Sequence, residues 1–219
     1  MNEFRSFRKI ARFNRDVIVT EKIDGTNAQI NIFDCLKQEE NKIADPPVGD
    51  HWLDMGDGIY IAAGSRTRFI TPNDDNFGFA KWVWNNASKL IYLGNGTHFG
   101  EWWGSGIQRK YGLTNGERRF SLFNVNRWTC TGNDELDGNF DDADSTKCLE
   151  VPVCFVVPVL GIGNITSNIV DSCLGYLINR GSAAAAGFLN PEGVVIFHAA
   201  SNTLFKQTLE NDDQHKSVI

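Results

Sequence analysis

A lysine two residues ahead of an Asp-Gly pair can serve as a nucleophile, and Lys22 occupies that position in Glu21-Lys22-Ile23-Asp24-Gly25-Thr26-Asn27. The apolar run Val17-Ile18-Val19 delivers it to a glycine-containing turn. If that turn floors a pocket, partial desolvation and nearby cations lower the lysine pKa and expose a neutral amine able to attack phosphorus. The same residues also suit a plain hairpin turn with Lys22 as a solvated edge lysine, and a short motif alone does not separate the two. Arg66, in Ser65-Arg66-Thr67-Arg68, suits a surface or structural ion pair on these residues alone. Glu101 and Glu192 carry carboxylates, which at a strand end are ordinarily just exposed.

Taken in order along the chain, six segments form a series. After the Lys22 segment come Ser65-Arg66-Thr67-Arg68, Phe99-Gly100-Glu101-Trp102-Trp103-Gly104, Phe120-Ser121-Leu122-Phe123-Asn124-Val125, Pro191-Glu192-Gly193-Val194-Val195-Ile196-Phe197 and Leu204-Phe205-Lys206. The series resembles the covalent nucleotidyltransferase superfamily of RNA ligases, DNA ligases and mRNA capping enzymes. The Thr26-Asn27 ending resembles the RNA ligase 2 family, of the T4 RNA ligase 2 type, since DNA ligases and capping enzymes more usually place Arg where Asn27 stands.

The resemblance implies an ATP-grasp-like nucleotidyltransferase domain and an ATP-dependent RNA ligase. Lys22 would attack the α-phosphate of ATP to give a lysyl-AMP phosphoramidate. The AMP would pass to an RNA 5′-phosphate, and a 3′-hydroxyl would displace it. Positioning cations and Mg²⁺ or Mn²⁺ carry most of such phosphoryl chemistry. Lys22, Lys206 and Arg66 would be the catalytic cations, with Arg66 on a phosphate or the nucleotide and Lys206 neutralising the α-phosphate. Glu21 would read the purine through its backbone, Glu101 would meet the ribose hydroxyls or a hydrated metal, and Phe123 would stack on the adenine, with Phe120 as a substitute and core packing as the ordinary reading. Glu192, Glu101 and Asp24 would face the metal, and Asp24 and Asn27 would support the lysine. The last motif departs from the family's Lys-x-Lys, because this chain has Lys206-Gln207-Thr208.

The implied partners are RNA ends. The expectation is a single adenylyltransferase domain over residues 1–219 with no C-terminal OB-fold or RNA-binding domain, which leaves RNA engagement to this chain or to a separate subunit. A capping-type guanylyltransferase, a DNA ligase, and a non-catalytic nucleotide- or RNA-binding module stay open as alternatives.

These residues need elements to position them. Val17-Val19 and the alternating Ala28-Phe33 read as two strands of one hairpin, turning at Asp24-Asn27. Lys37 to Gly58 reads as a polar surface loop, Ile59-Ala63 as a strand, and Phe77 to Ile91 as a helix capped by Asp74 or Asp75 and stopped at Gly94. Strands are expected at Thr97-Trp103, Arg119-Val125, Val151-Val159, Val194-Phe197 and Leu204-Thr208, with a helix over Ser167-Asn179 and turns at Gly94-Asn95-Gly96 and Gly161-Ile162-Gly163. Strands outnumber helices at short spacing, so the class is α+β with antiparallel sheets flanked by helices.

Bulk properties exclude several alternatives. A 219-residue chain with 42% hydrophobic residues supports one well-filled core, and its formal charge of −6 speaks against a general nucleic-acid coat. No apolar run approaches the roughly 18 residues a spanning helix needs, and Arg5, Arg8, Lys9, Arg12 and Arg15 are followed by no apolar signal core, so an intracellular, cytoplasmic protein without a membrane is expected. With Phe4, Phe7 and Phe13 interleaved, that basic segment could grip RNA, although a flank packing its rings on the core is the commoner case. The five cysteines form no CxxC and read as free thiols, the dispersed His51, His98, His198 and His215 suggest no zinc, and the acidic stretch Thr131-Lys147 reads as solvated.

Overall fold

The structure, a computed structural model, describes residues 6–7, 9–37, 45–128, 148 and 150–210. Among the described residues eleven strands form two sheets. The smaller holds β1 (Asp16–Lys22), β9 (Val159–Asn164), β10 (Gly193–His198) and β11 (Thr203–Thr208) in the order β11-β10-β1-β9. The larger holds β2 (Thr26–Asp34), β3 (Trp52–Asp54), β4 (Ile59–Ser65), β5 (Phe69–Ile70), β6 (Gly96–Gly104), β7 (Arg118–Leu122) and β8 (Phe155–Val156) in the order β3-β4-β2-β6-β7-β8, with β5 paired to β4. All pairings are antiparallel except β7 with β8, and with α1 (Phe79–Leu90), α2 (Val125–Trp128) and α3 (Ile169–Arg180) the class is α+β as expected.

Alternation decides which face of each sheet is buried. Val17, Val19, Val194 and Ile196 share one face of the smaller sheet and pack against Cys173, Leu174 and Leu177 of α3. Ile30, Ile32, Ile61 and Ala63 share one face of the larger sheet and pack against Phe79, Ala80, Val83, Ala87 and Leu90, the apolar stripe of α1. Of the two candidate caps, Asp75 does the work: its carboxylate accepts the amide protons of Ala80 and Lys81, while Asp74 pairs with Arg68. Gly94 (φ 82°) ends the 3₁₀ turn that prolongs this helix.

Several expectations are corrected. The strands flanking Lys22 do not form a hairpin: β1 pairs with β9 and β10, whereas β2 pairs with β4 and β6, so Ile23-Asp24-Gly25 crosses between sheets. The expected strand Val151-Val159 is divided into β8 and β9 around Pro158, which has no amide proton to give a ladder. The strand expected to reach Val125 ends at Leu122, and Val125 opens α2. Gly161 and Gly163 lie inside β9 and not in a turn; a β-carbon on Gly161 would stand 2.8 Å from Ile169 and 2.9 Å from Cys173 of α3, so glycine permits close helix–sheet packing. The polar segment before Ile59 contains β3. Phe7 and Phe13 do not pack on the core, being 88% and 69% exposed.

Phe4, Arg5, Arg8, Cys130, the acidic stretch 131–147 and His215 lie outside the described residues. The described Cys35, Cys148, Cys154 and Cys173 are buried free thiols. No helix among the described residues is long and apolar enough to cross a membrane.

Candidate active site

Lys22 ends β1 directly opposite Gly193, the first residue of β10, so the preceding Glu192 is its diagonal neighbour. Lys22 Nζ donates to Glu192 Oε2 at 2.5 Å, a charge-assisted bond between a side chain 22% exposed and one 5% exposed. This pair closes a sequence separation of 170 residues.

Gly25 brings the crossover against β6. A β-carbon there would meet the Trp102 carbonyl oxygen at 2.5 Å and Trp103 Cβ at 2.8 Å. Glycine is required here by close approach and not by a turn angle. The contact sets Glu101, in register with Asn27 and Ser121, beside the lysine. Its Oε1 accepts the Gly25 amide proton at 3.0 Å and its Oε2 accepts from Asn27 Nδ2 at 2.9 Å. Burial pushes the Glu101 pKa up to about 7, against the bonds from Asn27 and Gly25 and the charge of Lys22, and with help from the charge of Glu192.

Glu21 points the other way, because adjacent strand residues alternate. Its carboxylate is 1% exposed and accepts from Ser182 Oγ at 2.6 Å, Ala183 N at 2.7 Å and Ala184 N at 2.9 Å. Burial again dominates, raising its pKa to about 7. The Glu21 amide proton goes to the Pro158 carbonyl at 2.9 Å, so of the backbone groups expected to read a purine, the donor is already engaged. Asp24 forms an ion pair with Arg109 at 3.3 Å, and its amide donates to the Tyr111 hydroxyl at 2.9 Å.

Phe123 follows β7 on the Glu101 side of the larger sheet and is 42% exposed, whereas Phe120 is fully buried against Phe79 and Trp82. The available ring is therefore Phe123. Beside it stands Phe99, 57% exposed, whose carbonyl accepts the Phe123 amide proton at 3.0 Å. Lys206, exposed on β11, is opposite Val195, which is opposite Thr20, so alternation places it on the same sheet face as Lys22. Thr208 is opposite Gly193 and thus in the row of Lys22 itself, so the position lacking the last motif's second lysine is the one in register with Lys22. Arg66 sits exposed in the bend after β4, with no hydrogen-bond or ion-pair partner among the described residues.

The structure thus brings together Lys22, Glu192, Glu101, Asn27 and Asp24, places Lys206 on their sheet face, leaves Phe123 accessible, and turns Glu21 away. Glu192, Glu101 and Asp24 do not make a cage: no group of three or more His, Cys, Asp or Glu among the described residues could hold a metal ion alone. What they fit is a hard cation that takes one or two carboxylates and completes its shell with phosphate oxygens and water. Sequence reasoning missed Arg109, Tyr111, Phe99 and the Ser182-Ala184 amides. Only the exposure of Phe99 on the Glu101 face was implicit in strand alternation.

A family model described as RNA ligase matches residues 15–208. No curated protein matches the chain. Among solved structures, a Naegleria gruberi RNA ligase variant with ATP and manganese superposes with a TM-score of 0.52 at 15% identity, covering 93% of this chain and 53% of that one. A second variant of Naegleria gruberi RNA ligase, in its apo form, gives a TM-score of 0.48 at 16% identity, covering 89% of this chain and 50% of that one. The chain therefore spans about half the length of the solved structures it matches. The first of these shows a shared fold.

Proposed function

The chain belongs to the RNA ligase family, and from that premise we propose that it is an ATP-dependent RNA ligase, or the adenylyltransferase part of one, acting through Lys22. The observation that carries this reading is the Lys22 amine bonded to Glu192 and within the electrostatic reach of Glu101, on the sheet face that also bears Lys206. In the first step the amine bonds to the α-phosphorus of ATP, the bond to the departing pyrophosphate breaks, and the amine gives up a proton. Glu192 Oε2, at 2.5 Å, is the acceptor within reach of that proton. The AMP then moves to an RNA 5′-phosphate and leaves when a 3′-hydroxyl attacks.

Glu192 and Glu101 are the residues to hold Mg²⁺ or Mn²⁺ beside the phosphates, and such an ion supplies charge neutralisation. Asp24, tied to Arg109, supports the crossover more directly than it faces that position. Asn27 fixes Glu101, Phe123 offers its ring to the adenine, Lys206 draws charge from the α-phosphate, and Arg66 is free to meet a phosphate. On this reading residues 1–219 form a single adenylyltransferase domain, supported by the family match over residues 15–208, and engagement of the RNA ends falls to this surface or to another subunit. The buried free thiols suit a reducing cytoplasm.

The test is incubation with α-labelled ATP or GTP and Mg²⁺, followed by denaturing electrophoresis of wild type and Lys22→Ala. Label from ATP that is absent in Lys22→Ala is expected. No label on wild type sinks the enzyme reading and favours a binding module. Label from GTP alone points to a capping-type enzyme, and label surviving in Lys22→Ala refutes the nucleophile.

A further inference from the structure

Between β6 and β7 the backbone adopts a conformation that side chains resist. Gln108, Lys110 and Tyr111 have φ of 41°, 60° and 49°, so three non-glycine residues within four positions occupy the left-handed region. Such a cluster persists only where surrounding contacts hold it, and it points to a reason for being there. The segment delivers two side chains to the site from outside. Tyr111 is 1% exposed, with its ring against Trp103 and Phe188. Its hydroxyl accepts the Asp24 amide proton at 2.9 Å and donates toward the Lys22 carbonyl at 3.4 Å. Arg109 reaches Asp24 at 3.3 Å from Nε. Its Nη1 donates to Asn190 Oδ1 at 2.8 Å, the Asn190 carbonyl at 3.2 Å and the Pro191 carbonyl at 3.4 Å, and its Nη2 meets Glu210 at 3.5 Å.

We propose that Arg109 and Tyr111 are positioning residues that clamp the Lys22 crossover to the segment carrying Glu192 and so hold the Lys22 amine in its attacking position. The two strands bearing Lys22 and Glu192 pair through backbone bonds only up to Lys22 and Gly193. Beyond that point the two chains no longer pair with each other, although the Glu192 carbonyl still accepts the Leu209 amide proton, and Arg109 grips both, Asp24 on one and Asn190-Pro191 on the other. Its planar fork can do this and a lysine cannot, because separate N–H groups must reach separate acceptors at once. Tyr111 fixes the backbone on either side of the Lys22-Ile23 link. Neither residue touches the reacting atoms.

The inference rests on Lys22 being the nucleophile, so the experiment has one arm that needs that reading and one that does not. Arg109→Ala, Arg109→Lys and Tyr111→Phe are compared with wild type in single-turnover labelling from ATP. Misplacing a reacting group by about 1 Å costs on the order of 100-fold, so Arg109→Ala is expected to lower the saturating rate by roughly 10- to 100-fold. Arg109→Lys should recover only part of that loss, and Tyr111→Phe, which keeps the ring in place, should fall severalfold. The ATP concentration for half-maximal rate should stay within about twofold, since substrate binding is not what the clamp supplies.

The second arm is acetylation of Lys22 by acetic anhydride, read by mass spectrometry against exposed Lys89. Freed from its set position on Glu192, Lys22 should react severalfold faster in Arg109→Ala. An unchanged labelling rate, or a loss confined to ATP affinity, overturns the proposal. If wild type never takes label, the nucleophile reading fails, and equal acetylation of Lys22 in wild type and Arg109→Ala then overturns the clamp on its own.

Discussion

Replacing Glu21 with Gln should flatten the pH dependence of stability without unfolding the protein. The carboxyl sits among Ser182 Oγ and the amides of Ala183 and Ala184, and burial lifts its pKa from an ordinary 4.5 to about 7. Between those values the folded chain keeps a proton that the unfolded chain has released. The stabilisation is therefore complete below about pH 4.5, declines as pH rises through about 7, and is absent above. At 1.36 kcal/mol per pH unit the difference is about 3 kcal/mol. Glu101, also raised to about 7, behaves in the same way, so the wild type carries two such contributions and Glu21→Gln removes one. The glutamine oxygen can still accept from Ala183 and Ala184, and its amide can donate to Ser182 Oγ, so at pH 5 the variant should lie within roughly 1 kcal/mol of wild type. At pH 8 it should be the more stable by about 3 kcal/mol. Urea unfolding at pH 5, 6, 7 and 8 reads both. Parallel pH profiles for the two proteins would refute the reasoning, as would a variant destabilised by several kcal/mol throughout, which would mean that the amides bind Glu21 as an anion.

Gly25→Ala drives a β-carbon to 2.5 Å from a backbone oxygen and should cost about 1–3 kcal/mol, lowering the melting temperature by roughly 2–12 °C. Gly161→Ala, whose nearest atoms are the flexible end of Ile169 and the Cys173 sulfur, should cost less, and calorimetry of the pair checks the order. Phe123→Ala should leave the melting temperature nearly unchanged while raising the ATP concentration needed for labelling about 5- to 150-fold, as expected for one lost base stack. Phe120→Ala, made in the fully buried ring, should instead cost about 3–5 kcal/mol of stability. Thr208→Lys places a second cation in the row of Lys22 and should raise the single-turnover labelling rate about 10-fold; an unchanged rate would show that the position does not face the phosphates.

What could be read from the sequence was what local pattern encodes. The apolar spacing from Phe79 to Leu90 marked α1 because burial on one side imposes that period, and alternation marked β2 for the same reason. Lys22, Glu101 and Glu192 were legible as members of an ordered series. The hairpin at Asp24-Asn27 was misread because Asp-Gly is a local turn signal, whereas the partners of β1 lie at residues 159–164 and 193–198 and nothing near Lys22 specifies them. Arg109 and Tyr111 were hidden for a similar reason: their work depends on a backbone conformation and on Asp24 and Asn190, far away in sequence. The alanines after Ser182 could not announce themselves, since it is their amides that serve Glu21. The exposed Phe7 and Phe13 show the limit of composition, because aromatic residues near a basic segment need not be drawn into a core.

The crossover at Ile23-Asp24-Gly25 also dictates when the Lys22–Glu192 pair can form during synthesis. Strands β2 to β7 all fall within residues 26–122 and pair among themselves, so they can assemble once that stretch has emerged, although β2 reaches β4 and β6 across long stretches of sequence. β1, though made first, must wait for β9 and β10 before it has a sheet to join. Lys22 therefore meets Glu192 only after some 170 further residues have been added. A nascent or interrupted chain can hold the larger sheet while the Lys22–Glu192 pair is still unmade, so that pair forms only as the fold is completed.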